Sequence, residues 1–136
     1  MARRRHLSRI AVMQVLFERE RRPGVDPAEA LALNHEELGE MDDDFARVLL
    51  DGVLKHEEAM KQSIQDHAPG WTLDRMDPVS RCVLQIGAYE LLVAKEAPPA
   101  VVMNEAIDIA KEFGTDESGK FVNGVLNAIA NGSKAE

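Results

Sequence analysis

Four arginines near the N terminus have the residue type and spacing to bind a polyanion. Arg3, Arg4 and Arg5 are consecutive, and Arg9 follows Arg5 by one helical turn, so Arg5 and Arg9 share a helix face. Residues 1–22 carry a net charge of +5, whereas the rest of the chain carries −13. A basic end on an acidic protein attracts phosphates, which the remaining surface repels. The alternative interpretation is a solvated, fraying terminus.

The other residues that could do chemistry form no catalytic or metal-binding motif. His35 and His56 each precede two glutamates, but neither has the second histidine four residues on that a zincin helix requires. Cys82 is the only cysteine, which excludes an intrachain disulfide, and its apolar surroundings predict a buried side chain. The sequence contains neither a glycine-rich phosphate loop nor a nucleophile elbow. It therefore predicts a binding protein without enzyme activity, cofactor or metal.

A second candidate contact region surrounds Lys120 and Phe121. Lys111 ends one apolar helical stripe, and a polar loop leads from it to the next helix. The apolar stripe of that next helix runs through Val122 and Val125, which leaves Phe121 at its edge. A basic residue beside an edge aromatic suits stacking on an unpaired base. The alternative is that Phe121 packs on Val125.

The spacing of apolar residues, prolines and glycines predicts an all-α domain of six or seven helices. The first helix is expected from about Arg4 to Arg22, with Gln14 among apolar neighbours. Asp26-Pro27 and Asp77-Pro78 each place an N-cap aspartate before a proline at the first helical position. An acidic cap at residues 42–44 opens a third helix.

The third helix is predicted to continue through Met60 and to end before Pro69, with Val48 on its buried face. Residues 79–93 are apolar on several sides, which is typical of a central helix. Residues 131–136 form a polar tail that is expected to fray.

Composition places the chain among ordinary one-domain proteins. Its 136 residues are 45% hydrophobic, enough for a core without disulfides or metals. No apolar run has the length of a signal peptide or of a transmembrane helix. A cytoplasmic protein with no membrane association is expected.

The ordered set of motifs resembles the NusB family of transcription antitermination factors. Besides the arginine-rich start, the matching segments are residues 14–17, 71–75, 83–91, 104–111, 113–114 and 120–126. The resemblance implies an all-α NusB-like fold of two packed three-helix sub-bundles, with residues 1–136 forming a single RNA-binding domain. It also implies three partners: NusE, which is a small-subunit ribosomal protein, boxA-type single-stranded RNA, and the RNA polymerase antitermination complex of ribosomal RNA operons.

The resemblance also assigns site residues. Those matching RNA-facing positions of the family are Arg3, Arg4, Arg5, Arg9, Gln14, Lys111, Glu117, Ser118, Lys120 and Phe121. Phe17 and Ser80 match positions that face NusE. The chain departs from the family at Ser80, where glutamate is common, and at Gln85, where arginine is frequent. Both departures affect the expected NusE interface rather than the fold.

Three other functions fit parts of the pattern. One is an RNA-binding domain like that of ribosomal RNA cytosine methyltransferases, which is less expected because the chain ends at Glu136 without a catalytic domain. Another is a helical protein-interaction or self-dimerising module with no direct RNA role. The third is a DNA-binding helix-turn-helix protein, which the terminal position of the positive charge disfavours. Whether the free protein is a monomer or a homodimer is left open.

Overall fold

The computed structural model describes the backbone of residues 2–135 and the side chains of residues 2–132. Within this range the α-helices are α1 (Ala2–Arg21), α2 (Pro27–Leu38), α3 (Asp43–Lys55), α4 (Glu57–Asp66), α5 (Pro78–Tyr89), α6 (Pro99–Phe113) and α7 (Asp116–Ala135). A 3₁₀ turn at Leu73–Arg75 precedes α5, and a π-helical turn at Glu90–Ala94 follows it. Residues 2–135 contain no β-strand, so the predicted all-α class is confirmed.

The chain forms two compact units, Met1–Leu54 and Lys55–Glu136. The first contains α1, α2 and nearly all of α3, and the second contains α4 to α7. The predicted frayed tail, residues 131–136, lies in part outside the described residues, since neither residue 136 nor the side chains of 133–135 are among them.

Three aspartates begin helices as the sequence predicts. Asp26, Asp42 and Asp77 each accept a hydrogen bond from the backbone N–H three residues on, at 3.3, 3.0 and 2.9 Å respectively. Each bond satisfies a donor that the first turn of a helix leaves unpaired. The end of α2 is also as predicted, because Gly39 follows its last residue with a φ of 85°, a conformation that favours glycine.

The predicted third helix is wrong in one respect, because the structure divides it at His56. Helix α3 ends at Lys55 and α4 begins at Glu57, while His56 between them has φ −104° and ψ 18°. The His56 ring lies 5.8 Å from the Tyr89 ring, centroid to centroid. Apolar periodicity continues through a one-residue break, so it could not reveal this one.

The buried face of α3 also differs from the prediction at Val48, which is 65% exposed. The buried residues of this helix are Ala46, Leu49, Leu50 and Val53. They form a stripe at steps of three and four that leaves Val48 on its solvent side.

Helix α5 is the centre of the second unit, as its all-round apolar sequence predicts. Every residue from Cys82 to Tyr89 is buried, and the helix packs against α4, α6 and α7. Gly87 permits a close approach of α7, since a Cβ atom at this position would lie 2.8 Å from Cδ1 of Leu126. The start of α7 carries the second candidate contact region.

Candidate nucleic-acid interface

Two arginines of α1 lie over one aromatic ring at the start of α3. The Cζ atoms of Arg5 and Arg9 lie 4.5 and 5.0 Å from the centroid of the Phe45 ring. Both guanidinium groups are therefore within cation–π distance of the same ring. This arrangement confirms that Arg5 and Arg9 share a helix face. The Nε of Arg5 also lies 3.7 Å from Oδ2 of Asp42.

Backbone contacts fix the start of α1 against the segment before α3. The Asp42 N–H donates to the Arg4 carbonyl at 3.3 Å, and the Ser8 hydroxyl donates to the Asp42 carbonyl at 2.7 Å. The Arg4 guanidinium donates to the Met41 carbonyl at 3.4 Å. The basic segment is thus an ordered helix with tertiary contacts, rather than the solvated, fraying terminus of the alternative interpretation.

The predicted contact residues of α1 differ in exposure. Arg3 and Arg4 are exposed and Arg5 is half-buried, whereas Arg9 is only 4% exposed, so little of its side chain is available to a ligand in this conformation. Gln14 is half-buried. Phe17, the predicted NusE contact, is half-buried too, and the Cζ of Arg21 lies 5.8 Å from its ring centroid.

The second predicted region lies at the end of α6 and the start of α7, in the other unit. A Cβ atom on Gly119 would lie 2.7 Å from Cγ of Lys111, so the aliphatic stem of this lysine rests on the first turn of α7. Lys120 and Glu117 are both exposed, and Nζ of Lys120 lies 3.6 Å from Oε1 of Glu117. A surface ion pair of this kind contributes little to stability, so the lysine is available to an anionic ligand.

Ser118 belongs to the hydrogen-bonded start of α7. Its hydroxyl accepts the Thr115 N–H at 3.1 Å, and its own N–H donates to Oγ1 of Thr115 at 3.2 Å. This is the reciprocal arrangement of a capping box. The Ser118 hydroxyl also lies 3.2 Å from Oδ2 of Asp77, the N-cap residue of α5.

Asp77 therefore joins two predicted contact residues. The Ser80 hydroxyl donates to the same Oδ2 atom at 2.6 Å. Ser80 is 0% exposed and Ser118 is 5% exposed. In this conformation both serines order the starts of helices, and their direct contacts with NusE or RNA stay predictions.

Phe121 has an aromatic neighbour that the sequence did not reveal. Its half-buried ring lies 5.3 Å from the ring of Trp71, centroid to centroid, with an interplanar angle of 60°. Trp71 is 44% exposed and lies in the connector between α4 and α5. Stacking of Phe121 on a base and packing of Phe121 on Val125 both stay predictions.

Three residues that contact the predicted site residues could not be identified, or only in part, from the sequence. Phe45 and Trp71 contact their partners Arg5, Arg9 and Phe121 across elements that are far apart in the chain, so no local pattern identifies these two rings. Asp77 was predicted as an N-cap, but its hydrogen bond with Ser118 joins residues far apart in the chain.

Arg47 and Asp74, which are not among the predicted contacts, have shifted pKa values. A hydrogen bond with Asp44 raises the pKa of Arg47, with a further contribution from the charge of Asp43. A hydrogen bond from Thr72 lowers the pKa of Asp74, which lies in the 3₁₀ turn of the connector. In the described part of the chain, no group of three or more His, Cys, Asp or Glu residues is placed to hold a metal ion.

The sequence model of the NusB family matches residues 6–131. The chain belongs to the NusB family. The transcription antitermination protein NusB of Bacillus subtilis is 40% identical over 126 residues, which cover 93% of this chain and 94% of the relative. NusB of Chloroflexus aggregans is 37% identical over 139 residues, covering 100% of this chain and 93% of the relative. These relatives are antitermination factors and not enzymes, which confirms the prediction of no enzyme activity.

Solved NusB structures share the fold. T. maritima NusB is 37% identical and has a TM-score of 0.81, with 93% of this chain and 90% of that chain covered. A chain in a crystal structure of the antitermination factors NusB and NusE in complex with dsRNA is 32% identical and has a TM-score of 0.85, with 97% and 99% covered. The predicted NusB-like fold is thereby confirmed. None of the helices described here is both long and apolar enough to span a membrane.

Proposed function

We propose that this chain is an antitermination factor that binds boxA-type single-stranded RNA as a heterodimer with NusE. Residues 1–136 act as one NusB-like RNA-binding domain, since the family match runs through both compact units. The heterodimer joins the RNA polymerase antitermination complex in the cytoplasm and promotes read-through in ribosomal RNA operons. Support comes from the family membership and from the related structure that contains NusB, NusE and dsRNA.

The observation that carries the proposal is the arginine cluster on Phe45. Arg5 and Arg9 are stacked on one ring, and Arg3 and Arg4 are exposed beside them, in a chain whose net charge is −8. Guanidinium groups donate in a fork that matches phosphate oxygens. Their concentration at one end of an acidic protein favours a polyanionic ligand at that end.

The remaining contacts are assigned in the same proposal. Gln14 extends the RNA surface of α1, and the second RNA surface consists of Lys111, Glu117, Ser118, Lys120 and Phe121. Phe17 contacts NusE directly, and Ser80 acts on the same interface indirectly. Because Ser80 is buried on Asp77, it acts on that interface by ordering the start of α5.

NusE is expected to raise the affinity for boxA-like RNA by at least about tenfold, a coupling free energy of about 1.4 kcal/mol. The physical reason is the −13 charge of residues 23–136, which opposes RNA binding unless a partner adds positive or neutral surface. The measurement is a titration of labelled RNA with the protein alone and with an equimolar mixture.

The control is an RNA of the same length and composition with a scrambled sequence, which reports the non-specific electrostatic part of binding. Equal affinity of the protein and the mixture for boxA-like RNA would contradict the heterodimer proposal. An equal gain for the scrambled RNA would contradict boxA selectivity.

Replacement of Phe121 by alanine is expected to lower RNA affinity by about 1–3 kcal/mol, the usual contribution of one base–aromatic stack. The denaturant midpoint should change little, because the ring is only half-buried. A phenylalanine in the core would instead lose about 3–5 kcal/mol of folding free energy. Both quantities are measured on the same variant, by RNA titration and by urea unfolding.

Val125→Ala is the matched control, since this side chain lies one turn further along α7 and is 4% exposed. It should lose about 1–2 kcal/mol of stability by removal of buried methyl groups, with RNA affinity retained in the folded protein. If Phe121→Ala behaves like Val125→Ala on both measurements, Phe121 is a core residue and not an RNA contact.

A further inference from the structure

Trp71 is the only tryptophan of the chain and has a large exposed surface. It follows Gly70, whose φ of 85° directs the chain out of the turn after α4. The residue is 44% exposed, and its ring lies 5.3 Å from the ring of Phe121, centroid to centroid. The two rings are tilted by 60° and are therefore not stacked in parallel. An exposed tryptophan face is therefore placed next to a predicted RNA contact.

The backbone that carries Trp71 is held on both sides. The side-chain amide of Gln65, on α4, donates to the Trp71 carbonyl and accepts the Leu73 N–H at 3.1 Å. The Trp71 N–H donates to the Ala68 carbonyl at 3.0 Å. Because these bonds already order the connector, a ligand that stacks on the indole need not order the loop that carries it.

Arg81 fixes the far end of the connector. Its guanidinium donates to the carbonyls of Leu73 and Met76, at 3.1 and 2.7 Å. The 3₁₀ turn between these residues therefore has a fixed position relative to α5. The segment that carries Trp71 is thus held by hydrogen bonds from α4 and α5, unlike a typical mobile surface loop.

Positive charge flanks the aromatic pair. The Cζ of Arg75 lies 5.9 Å from the Trp71 ring centroid, and Lys120, whose side chain is 75% exposed, directly precedes Phe121 in α7. Aromatic rings with cations beside them are the usual means of binding single-stranded nucleic acids, because bases stack on the rings while phosphates contact the cations. A duplex offers no unstacked base to such a surface.

We propose that Trp71 and Phe121 together form a stacking site for an unpaired RNA base, with Arg75 and Lys120 contacting the flanking phosphates. The site rests on the proposed RNA-binding function and deepens it. It extends the second RNA surface from α7 to the connector before α5, and it assigns a role to a residue that the matching family positions did not.

The test compares the wild type with Trp71→Ala and Trp71→Phe, each mixed with NusE and titrated with labelled boxA-like RNA. Trp71→Ala should weaken binding by about tenfold, whereas Trp71→Phe keeps a ring and should retain most of the affinity. Val101→Ala is the matched control, since Val101 is also 44% exposed and lies on α6. Urea unfolding of each variant verifies that it is folded.

Tryptophan fluorescence supplies a second readout. The difference between the wild-type and Trp71→Phe mixtures isolates the Trp71 signal, whatever tryptophans NusE contains. Single-stranded RNA should quench this signal by stacking, and a duplex of the same sequence should leave it nearly unchanged.

The outcomes separate this site from the function on which it rests. If the wild-type mixture binds RNA but Trp71→Ala binds equally well and the Trp71 signal does not change, the stacking site is overturned and the RNA-binding function survives. A signal that changes on addition of NusE and not of RNA overturns it in favour of a protein contact. If the wild-type mixture does not bind RNA at all, both are overturned.

Discussion

Replacement of Leu126 by alanine is expected to lower the free energy of unfolding by about 2–5 kcal/mol. Leu126 is 0% exposed on α7 and fills the space that Gly87 leaves on α5. Its truncation removes buried methyl groups and leaves a cavity at the contact between these helices. Urea unfolding monitored by circular dichroism measures the loss, and the slope of the transition shows whether the unfolded state also changed.

A second substitution, at Gly87, tests whether Leu126 contacts this glycine. Gly87→Ala alone should cost about 1–3 kcal/mol, because its new methyl group would lie 2.8 Å from Leu126 Cδ1. In the Leu126→Ala background the same methyl group has room, so the double variant should be more stable than the two separate losses predict, by at least about 0.5 kcal/mol. Strictly additive losses would show that the two residues do not share this contact. Leu33→Ala, at a 62% exposed position, is the control and should change stability by less than about 0.5 kcal/mol.

The largest expected effect on RNA binding comes from Arg3→Ala combined with Arg5→Ala. Two charge-assisted hydrogen bonds to phosphates, at about 1.5 kcal/mol each, give a loss of roughly 100-fold at low salt. Each contact with single-stranded RNA also contributes about −0.7 to the slope of log K against log salt. The slope should therefore become less negative by about 1.4. Arg9 is excluded from this variant because its side chain is 4% exposed, so its truncation would mix folding with binding.

Arg47→Ala combined with Lys55→Ala is the matched control, since both residues lie exposed on α3 and their loss changes the net charge equally. A general electrostatic effect of net charge would weaken RNA binding in both double variants alike. The proposal requires that the control keep its salt slope. Titrations at four or more salt concentrations distinguish the two, and an unchanged slope for the arginine variant would remove Arg3 and Arg5 from the RNA site.

Local chemistry made much of the fold predictable. The helix starts at Asp26, Asp42 and Asp77 depend on hydrogen bonds between residues three apart in the chain. Both partners therefore lie within one short sequence pattern. The central position of α5 could be predicted because its buried residues surround the helix. The break at His56 could not, since it changes neither the apolar content nor the period of the residues around it.

The site was predictable at the level of residue type and not of tertiary contact. The arginine spacing correctly places Arg5 and Arg9 on one face, but the ring beneath them belongs to another helix. The Trp71–Phe121 pair and the Asp77–Ser118 hydrogen bond likewise join residues far apart in the chain. No local pattern encodes such pairs, and one sequence alone does not reveal them.

The stacking of Arg5 and Arg9 on Phe45 has a thermodynamic consequence for ligand capture. Many arginine-rich segments are disordered until they meet RNA, and the loss of conformational entropy on folding reduces their affinity. Here the segment is already part of α1, and both guanidinium groups rest on a ring before a ligand arrives. The entropic cost of ordering the half-buried Arg5 is met when the protein folds, so more of the Coulomb attraction between this arginine and a phosphate is expressed as binding free energy.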